Sequence, residues 1–258
     1  MALVLHGLFK QSLPASQIVI ADDGSTSDTK VVIDRWRTWG LPVRHCWHED
    51  KGFRKTVIMN QALSLVSSDL TIFLDGDCIP SRDFVRDHCQ LTTSGSVCAG
   101  PRILSDQRLT SELESSEPDP QSKTWFDRSL WAKASDLLTR KVNRLGPLVR
   151  LPDGFWRRCQ PDRWQLVRGC NFSAPTGAII AAGGFEEAMT GWGLEDSELA
   201  VRLINNGLTI KNTRYACAVL HLWHKSESRE RFNKNQLLLD TAIKAVKTRA
   251  IQGIKAKA

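Results

Sequence analysis

Apolar positions along the chain fall into two rhythms. Short β-branched or apolar runs alternate with stretches in which apolar residues recur every three or four positions. Residues 17 to 21 predict a strand that runs into the turn Asp22-Asp23-Gly24-Ser25-Thr26. Val31, Val32, Arg35 and Trp36 predict a helix over 28 to 39, and residues 43 to 47 a further strand. Gly52 precedes a helix expected over 53 to 66. Leu70 to Leu74 is an apolar strand that stops at Asp75-Gly76-Asp77, after which Pro80 opens a helix over 81 to 91. Val97 to Ala99 reads as a short strand. Residues 105 to 122 are acidic, Ser-rich and bounded by Pro, and read as a loop. Order returns at Val167 to Pro175, followed by small apolar residues from Ala178 to Gly184. Glu195 to Asn205 has helical spacing with Gly207 just past its end. Ala216 to Leu220 is a strand, and His221-Leu222-Trp223-His224 follows it. From about residue 232 the tail is helical, with Lys opposite Phe232, Leu237, Leu239, Ile243 and Val246. Strands alternating with helices predict an α/β fold with a mostly parallel sheet.

Composition sharpens this picture. The chain has 258 residues, 41% hydrophobic and 24% charged, enough for one large α/β domain or two small ones. No apolar run reaches the ~18 to 20 residues of a membrane-spanning helix. The start, MALVLHGLFKQSLP, lacks the basic region and cleavage site of a secretory signal. The seven cysteines (46, 78, 89, 98, 159, 170, 217) are scattered without a CxxC pair. They read as reduced, partly buried thiols in a cytoplasmic setting rather than a zinc site or disulfide framework.

The net charge of +7 is concentrated. Residues 123 to 168 hold eleven Lys or Arg against four Asp, together with Trp125, Trp131, Trp156 and Trp164. Such a tract suits sugar phosphates, an anionic membrane face or nucleic acid, or is a solvated surface with its tryptophans turned inward. No nucleic-acid recognition motif accompanies the charge, so nucleic acid is not an expected partner. The basic tract and the Lys-faced tail instead suggest peripheral contact with an anionic membrane at the inner face, and the tail equally suits packing back on the domain.

Acidic clusters at strand or helix ends carry the candidate chemistry. In open α/β sheets, ligands bind beyond the carboxyl ends of strands. Asp75 and Asp77, separated only by Gly76, can converge on one hard cation, although Asp-Gly is also turn chemistry. His221 or His224 could complete that site with Asp77, and mixed carboxylate and imidazole ligands favour Mn²⁺ over Ca²⁺. In Gly191-Trp192-Gly193-Leu194-Glu195-Asp196, the two acids either cap the helix or face a hydroxyl as a general base. Trp192 is suited to stacking on a sugar ring.

Ile18 to Thr29, Gly52-Phe53-Arg54 with Asn60-Gln61-Ala62, and Leu74 to Pro80 resemble the inverting family 2 glycosyltransferases with the GT-A fold. Gly184-Phe185, Gly191 to Asp196 and His221 to His224 resemble the C-terminal half of β-1,4-galactosyltransferases and chondroitin-polymerase-type enzymes. The resemblance covers roughly residues 7 to 100 and 168 to 235, and 105 to 165 match nothing comparable.

It implies a single GT-A domain over 1–258: a nucleotide-sugar half (1–104), a variable acceptor-side segment (105–165), a catalytic half (166–224) and a helical tail (225–258). It further implies that Asp22 or Asp23 contacts the nucleoside of a UDP-sugar donor, and that Arg54 lies near the nucleotide or diphosphate. By the same resemblance Asp75 and Asp77 hold the diphosphate through Mn²⁺ or Mg²⁺, with His224, then His221, as a further ligand. Asp196 would be the base, with Glu195 and Trp192 holding the acceptor, a glycan or glycolipid of surface polysaccharide synthesis. The family begins with a further strand and loop, so the sequence reads as starting inside the first helix. A sugar-nucleotide pyrophosphorylase-like enzyme and an inactive sugar-binding remnant are the alternative readings.

Overall fold

A computed structural model describes residues 1–157, 160–225 and 230–255. Cys159 and the start of the tail, 226–229, lie outside the described residues, as do 256–258. The chain opens with α1 (Ala2–Phe9), β1 (Ile18–Asp22), α2 (Ser27–Thr38) and β2 (Val43–Trp47). β1 and β2 pair in parallel, with Ile20 opposite His45 and Asp22 opposite Trp47. α2 buries Ile33 and Trp36 while Val31 stays exposed, so its inward stripe lies beside the one the spacing of Val31 and Arg35 suggested.

α3 (Lys55–Leu63), β3 (Leu70–Leu74), β4 (Cys78–Pro80), α4 (Phe84–Leu91), β5 (Ser96–Ala99) and β6 (Arg102–Leu104) follow. Then come α5 (Gln107–Glu114), α6 (Leu130–Leu138), β7 (Asn171–Pro175), α7 (Thr176–Ala181), α8 (Glu195–Asn205), β8 (Thr209–Asn212), β9 (Val219–His221) and α9 (Phe232–Lys244). The second sheet has the order β3-β7-β5-β8, and the third the order β4-β9-β6. Among the named strands, parallel and antiparallel pairs are three each. The antiparallel share enters through β7, which returns between β3 and β5, and through the short β4.

Two segments differ from expectation. The acidic stretch read as a loop contains α5, because Asp106 caps it by accepting the Leu109 N–H at 2.9 Å and Leu109 is fully buried. The helix expected directly after Pro80 starts at Phe84, since Cys78–Pro80 first pair with β9.

The main core joins β3, β5, β7, α7 and α8, with Phe73 stacked on Phe172 at 4.3 Å. Among the named strands, β1 pairs only with β2 and β3 only with β7. An apolar cleft of about 610 Å³ separates β1 from β3. Ile18, Ile20, Ile58, Ile72 and Phe73 line it, and at one end it opens on Asp23, Lys55, Asp75 and Gly169. That end is where the carboxyl termini of β1 and β3 deliver their acids.

Candidate active site

β1 ends in Asp22 and Asp23, and a histidine from the β2 segment holds each. His45 Nε2 lies 2.7 Å from Asp22 Oδ2, and His48 Nε2 lies 2.6 Å from Asp23 Oδ1. Ser25 donates its N–H and hydroxyl to Asp22 at 2.9 and 2.6 Å. Burial opposes the charge on Asp22, but Ser25 and His45 together hold its pKa below the ordinary aspartate value. The second oxygen of Asp23 accepts the backbone N–H of Arg54 at 2.7 Å. The Arg54 guanidinium is turned to the Glu49 carbonyl. Arg54 thus joins the end of β1 through its backbone rather than through its guanidinium.

β3 delivers Asp75 and, after Gly76, Asp77. The two carboxylates face different partners. Asp75 Oδ1 is 3.2 Å from the ammonium of Lys55, at the start of α3, and that ammonium is 3.3 Å from Glu195 Oε1. Asp77 Oδ2 faces the end of β9, 3.3 Å from His224 Nε2 and 3.8 Å from His221 Nε2. The ligand atoms of Asp77, Cys78 and His221 lie within 4.8 Å of one another. His224 is nearer to Asp77 but half exposed, whereas His221 is enclosed. Burial, opposed by Asp77 and aided by Arg102 and His224, lowers the His221 pKa, a shift toward the neutral imidazole that binds a metal. Carboxylate plus neutral imidazole fits a first-row divalent cation such as Mn²⁺.

α8 begins with Glu195 and Asp196 behind a strained entry. Gly191 and Gly193 have φ of +75° and +107°, and Leu194 is left-handed at +73°. Asp196 Oδ2 accepts the Gly169 N–H at 2.5 Å and Oδ1 the Ser197 N–H at 2.7 Å. Burial and the adjacent Glu195 carboxylate raise its pKa to about 6, against the pull of the Gly169 N–H and Lys55. Burial works against the Lys55 ammonium, yet Asp75, Glu195 and Asp196 hold its proton well above the ordinary lysine value. A side chain at Gly169 would meet Lys55 Nζ at 3.4 Å and Asp196 Oδ2 at 3.7 Å, so glycine leaves that approach open. Trp192 stacks on Phe232 at 6.4 Å, with 38% of its surface exposed.

The fold therefore gathers Asp75, Glu195 and Asp196 around Lys55, sets Asp77 with His221 and His224, and brings Asp23 to the same cleft mouth. Lys55, His45 and His48 are absent from the residues the sequence nominated. The histidines had a signal: His45 is a polar residue inside β2 and His48 follows its end, beside a strand that runs into two acids. Lys55 had none, because its partners lie 20 and 140 positions away.

Comparison with known proteins follows the same division of the chain. The profile described as "Glycosyl transferase family 2" matches residues 2–136, and that described as "N-terminal domain of galactosyltransferase" matches 159–225. Validoxylamine A glucosyltransferase of Streptomyces hygroscopicus subsp. jinggangensis is 27% identical over 207 residues, covering 77% of this chain and 46% of its own length. Chondroitin synthase of Escherichia coli is 23% identical over 214 residues, covering 78% of this chain and 30% of its own. The chain thus spans less than half the length of these relatives. The crystal structure of S. aureus TarS 1-349 in complex with UDP superposes with a TM-score of 0.57 at 15% identity, over 92% of this chain and 59% of that one. The architecture is the GT-A fold. Among the described residues, no helix is long and apolar enough to cross a membrane.

Proposed function

Because the chain belongs to glycosyl transferase family 2, we propose that it moves a hexose or N-acetylhexosamine from a UDP-sugar to a hydroxyl of a glycan or lipid-linked glycan. A divalent metal, Mn²⁺ or Mg²⁺, is the cofactor in this reading, and surface polysaccharide synthesis is its setting. The observation that carries it is the shared ammonium of Lys55, which ties the acid at the end of β3 to the acid pair opening α8. Donor-side and acceptor-side carboxylates lie within one side chain's reach.

Asp22 and Asp23 receive the nucleoside, fixed in place by His45 and His48. Asp77 with His224 or His221 holds the metal, and Asp75 faces the diphosphate from the Lys55 side. A divalent cation bound there neutralises charge on the diphosphate. Glu195 and Trp192 hold the acceptor sugar, and Asp196 takes the proton of its hydroxyl. The hydroxyl oxygen bonds to the anomeric carbon as the bond to the diphosphate breaks, and the proton ends on Asp196 Oδ. Such base assistance contributes ~10²- to 10⁴-fold. A single displacement inverts the anomeric centre.

Calorimetric titration of UDP with and without Mn²⁺ tests the donor half, using the wild type, Asp77→Ala and Asp196→Ala. Wild type and Asp196→Ala bind UDP more tightly with Mn²⁺, whereas Asp77→Ala loses the metal dependence. Both variants lose transfer while keeping wild-type circular dichroism. Wild-type turnover by Asp196→Ala would end its assignment as the base.

A further inference from the structure

α6 is built inside out. Lys133 and Asp136 are buried at 8% and 6% exposure, while Leu130, Trp131 and Leu138 stand 79%, 86% and 84% exposed. Positions 130, 131, 134, 137 and 138 form one helical stripe, so the exposed apolar residues share a face. The polar face is occupied in fixing Trp125 in the core. Asp136 accepts the Trp125 indole N–H at 2.9 Å, and Lys133 donates to the Phe126 carbonyl at 2.7 Å. The outward face therefore carries side chains that an ordinary surface helix would turn inward.

The flanks of this stripe are basic. Residues 123–150 hold seven Lys or Arg against two Asp. Glu112 takes up Arg128 and Lys141, Asp136 also faces Arg128, and Asp83 and Asp87 take up Arg150, but Arg140 and Arg144, just past the helix, are exposed with no acidic partner among the described ion pairs. A nine-residue helix about 14 Å long and about 10 Å across presents a face of roughly 140 Å², far short of the ~800 Å² per partner of a stable protein interface. Two copies placed stripe to stripe would also bring like charges together. An anionic surface neutralises the basic flanks while its interfacial layer takes Leu and Trp.

We propose that α6 is a membrane-docking element that inserts Leu130, Trp131 and Leu138 into the interface of a bilayer containing anionic lipid. This gives the transfer reading its geometry: a bilayer-held acceptor would lie beside the metal-side residues. Ser105 bridges to Val142 just beyond α6, and the Ser105 N–H donates to the His221 carbonyl at 3.0 Å. The segment that follows α6 is therefore linked to His221 through Ser105. Binding itself does not depend on the transfer reading.

The test is flotation of the full chain with phosphatidylcholine vesicles, with and without phosphatidylglycerol, alongside the Trp131→Ser/Leu138→Ser variant. The wild type should float with the anionic vesicles, and the variant should partition about tenfold less, with unchanged thermal midpoint and UDP affinity. No flotation of the wild type at low salt overturns the proposal, as does equal flotation of the variant. Self-association of the wild type that the variant abolishes overturns it too, since a second copy would then cover the stripe. Loss of UDP binding with flotation intact sinks the transfer reading and leaves this one standing.

Discussion

Around Asp196, burial and the Glu195 carboxylate raise the pKa to about 6, while the Gly169 N–H and Lys55 pull it down. A base must be ionised to act, so transfer should fall away as pH drops through about 6. Lys55→Met removes a cation that favours the ionised form. The acid limb of kcat/KM should then move to higher pH, while Lys55→Arg leaves it near the wild-type position. If Lys55 served only to brace α3, Lys55→Met would lower the plateau and leave the limb where it was. The pH profiles of the three proteins separate these cases. The residue scale is also where sequence reading was weakest. Asp75, Asp77 and the acids of α8 stand out as short motifs at strand and helix ends. The lysine between them becomes visible only when α3, β3 and α8 converge.

At the scale of elements, legibility followed length and local consistency. β1 and β3 are β-branched or apolar runs ended by turn residues, β2 reads Val-Arg-His-Cys-Trp, and the sequence places each within a residue. α8 has the helical period and a basic last turn. β8 reads Thr-Ile-Lys-Asn and has no strand pattern of its own; its parallel register with β5 creates it. α5 was hidden by acidic, Ser-rich composition, although the Asp106 cap and the four-residue spacing of Leu109 and Leu113 were present. The loop after β1 rests on a single glycine. Gly24 has φ +86°, and a Cβ there would lie 2.5 Å from the Asp50 backbone. Gly52, at φ +83°, has nothing within 4 Å. Gly24→Ala should therefore cost about 2 to 4 kcal/mol and weaken UDP binding by displacing Asp22 and Asp23. Gly52→Ala should cost only about 1 kcal/mol of backbone strain. Urea midpoints and UDP titrations of both variants check the contrast, and equal costs would show that the Asp50 backbone yields.

Across the whole molecule, two buried groups titrate in overlapping pH windows with opposite effects on stability. His88 is enclosed between Ser173 and Asn171, and burial lowers its pKa to about 4 from an ordinary 6.5. The unfolded chain therefore takes up this proton at a pH where the folded protein refuses it. The stability from His88 is full above pH 6.5 and is lost as pH falls toward 4, a change of roughly 3 kcal/mol. Asp196 runs the other way. Its folded pKa of about 6 exceeds the ordinary 3.8, so the folded protein keeps a proton that the unfolded chain releases. Its contribution is greatest below 3.8 and is lost as pH rises through 6, again by roughly 3 kcal/mol. The two changes offset each other between about pH 4 and 6.5. Asp196→Asn keeps the shape and removes the titration. That variant should melt above the wild type at pH 7, where it avoids a partly buried charge. Its advantage should shrink steadily toward pH 4, because the wild type then gains the proton that the variant cannot. Thermal midpoints of both proteins from pH 7 to pH 4 measure this difference directly, and other acid-sensitive groups cancel in the comparison. A gap between the two proteins that stays constant over that range would mean that Asp196 is no harder to ionise folded than unfolded. The carboxyl would then be an ordinary surface acid, and its fitness as a base tuned near pH 6 would go with it.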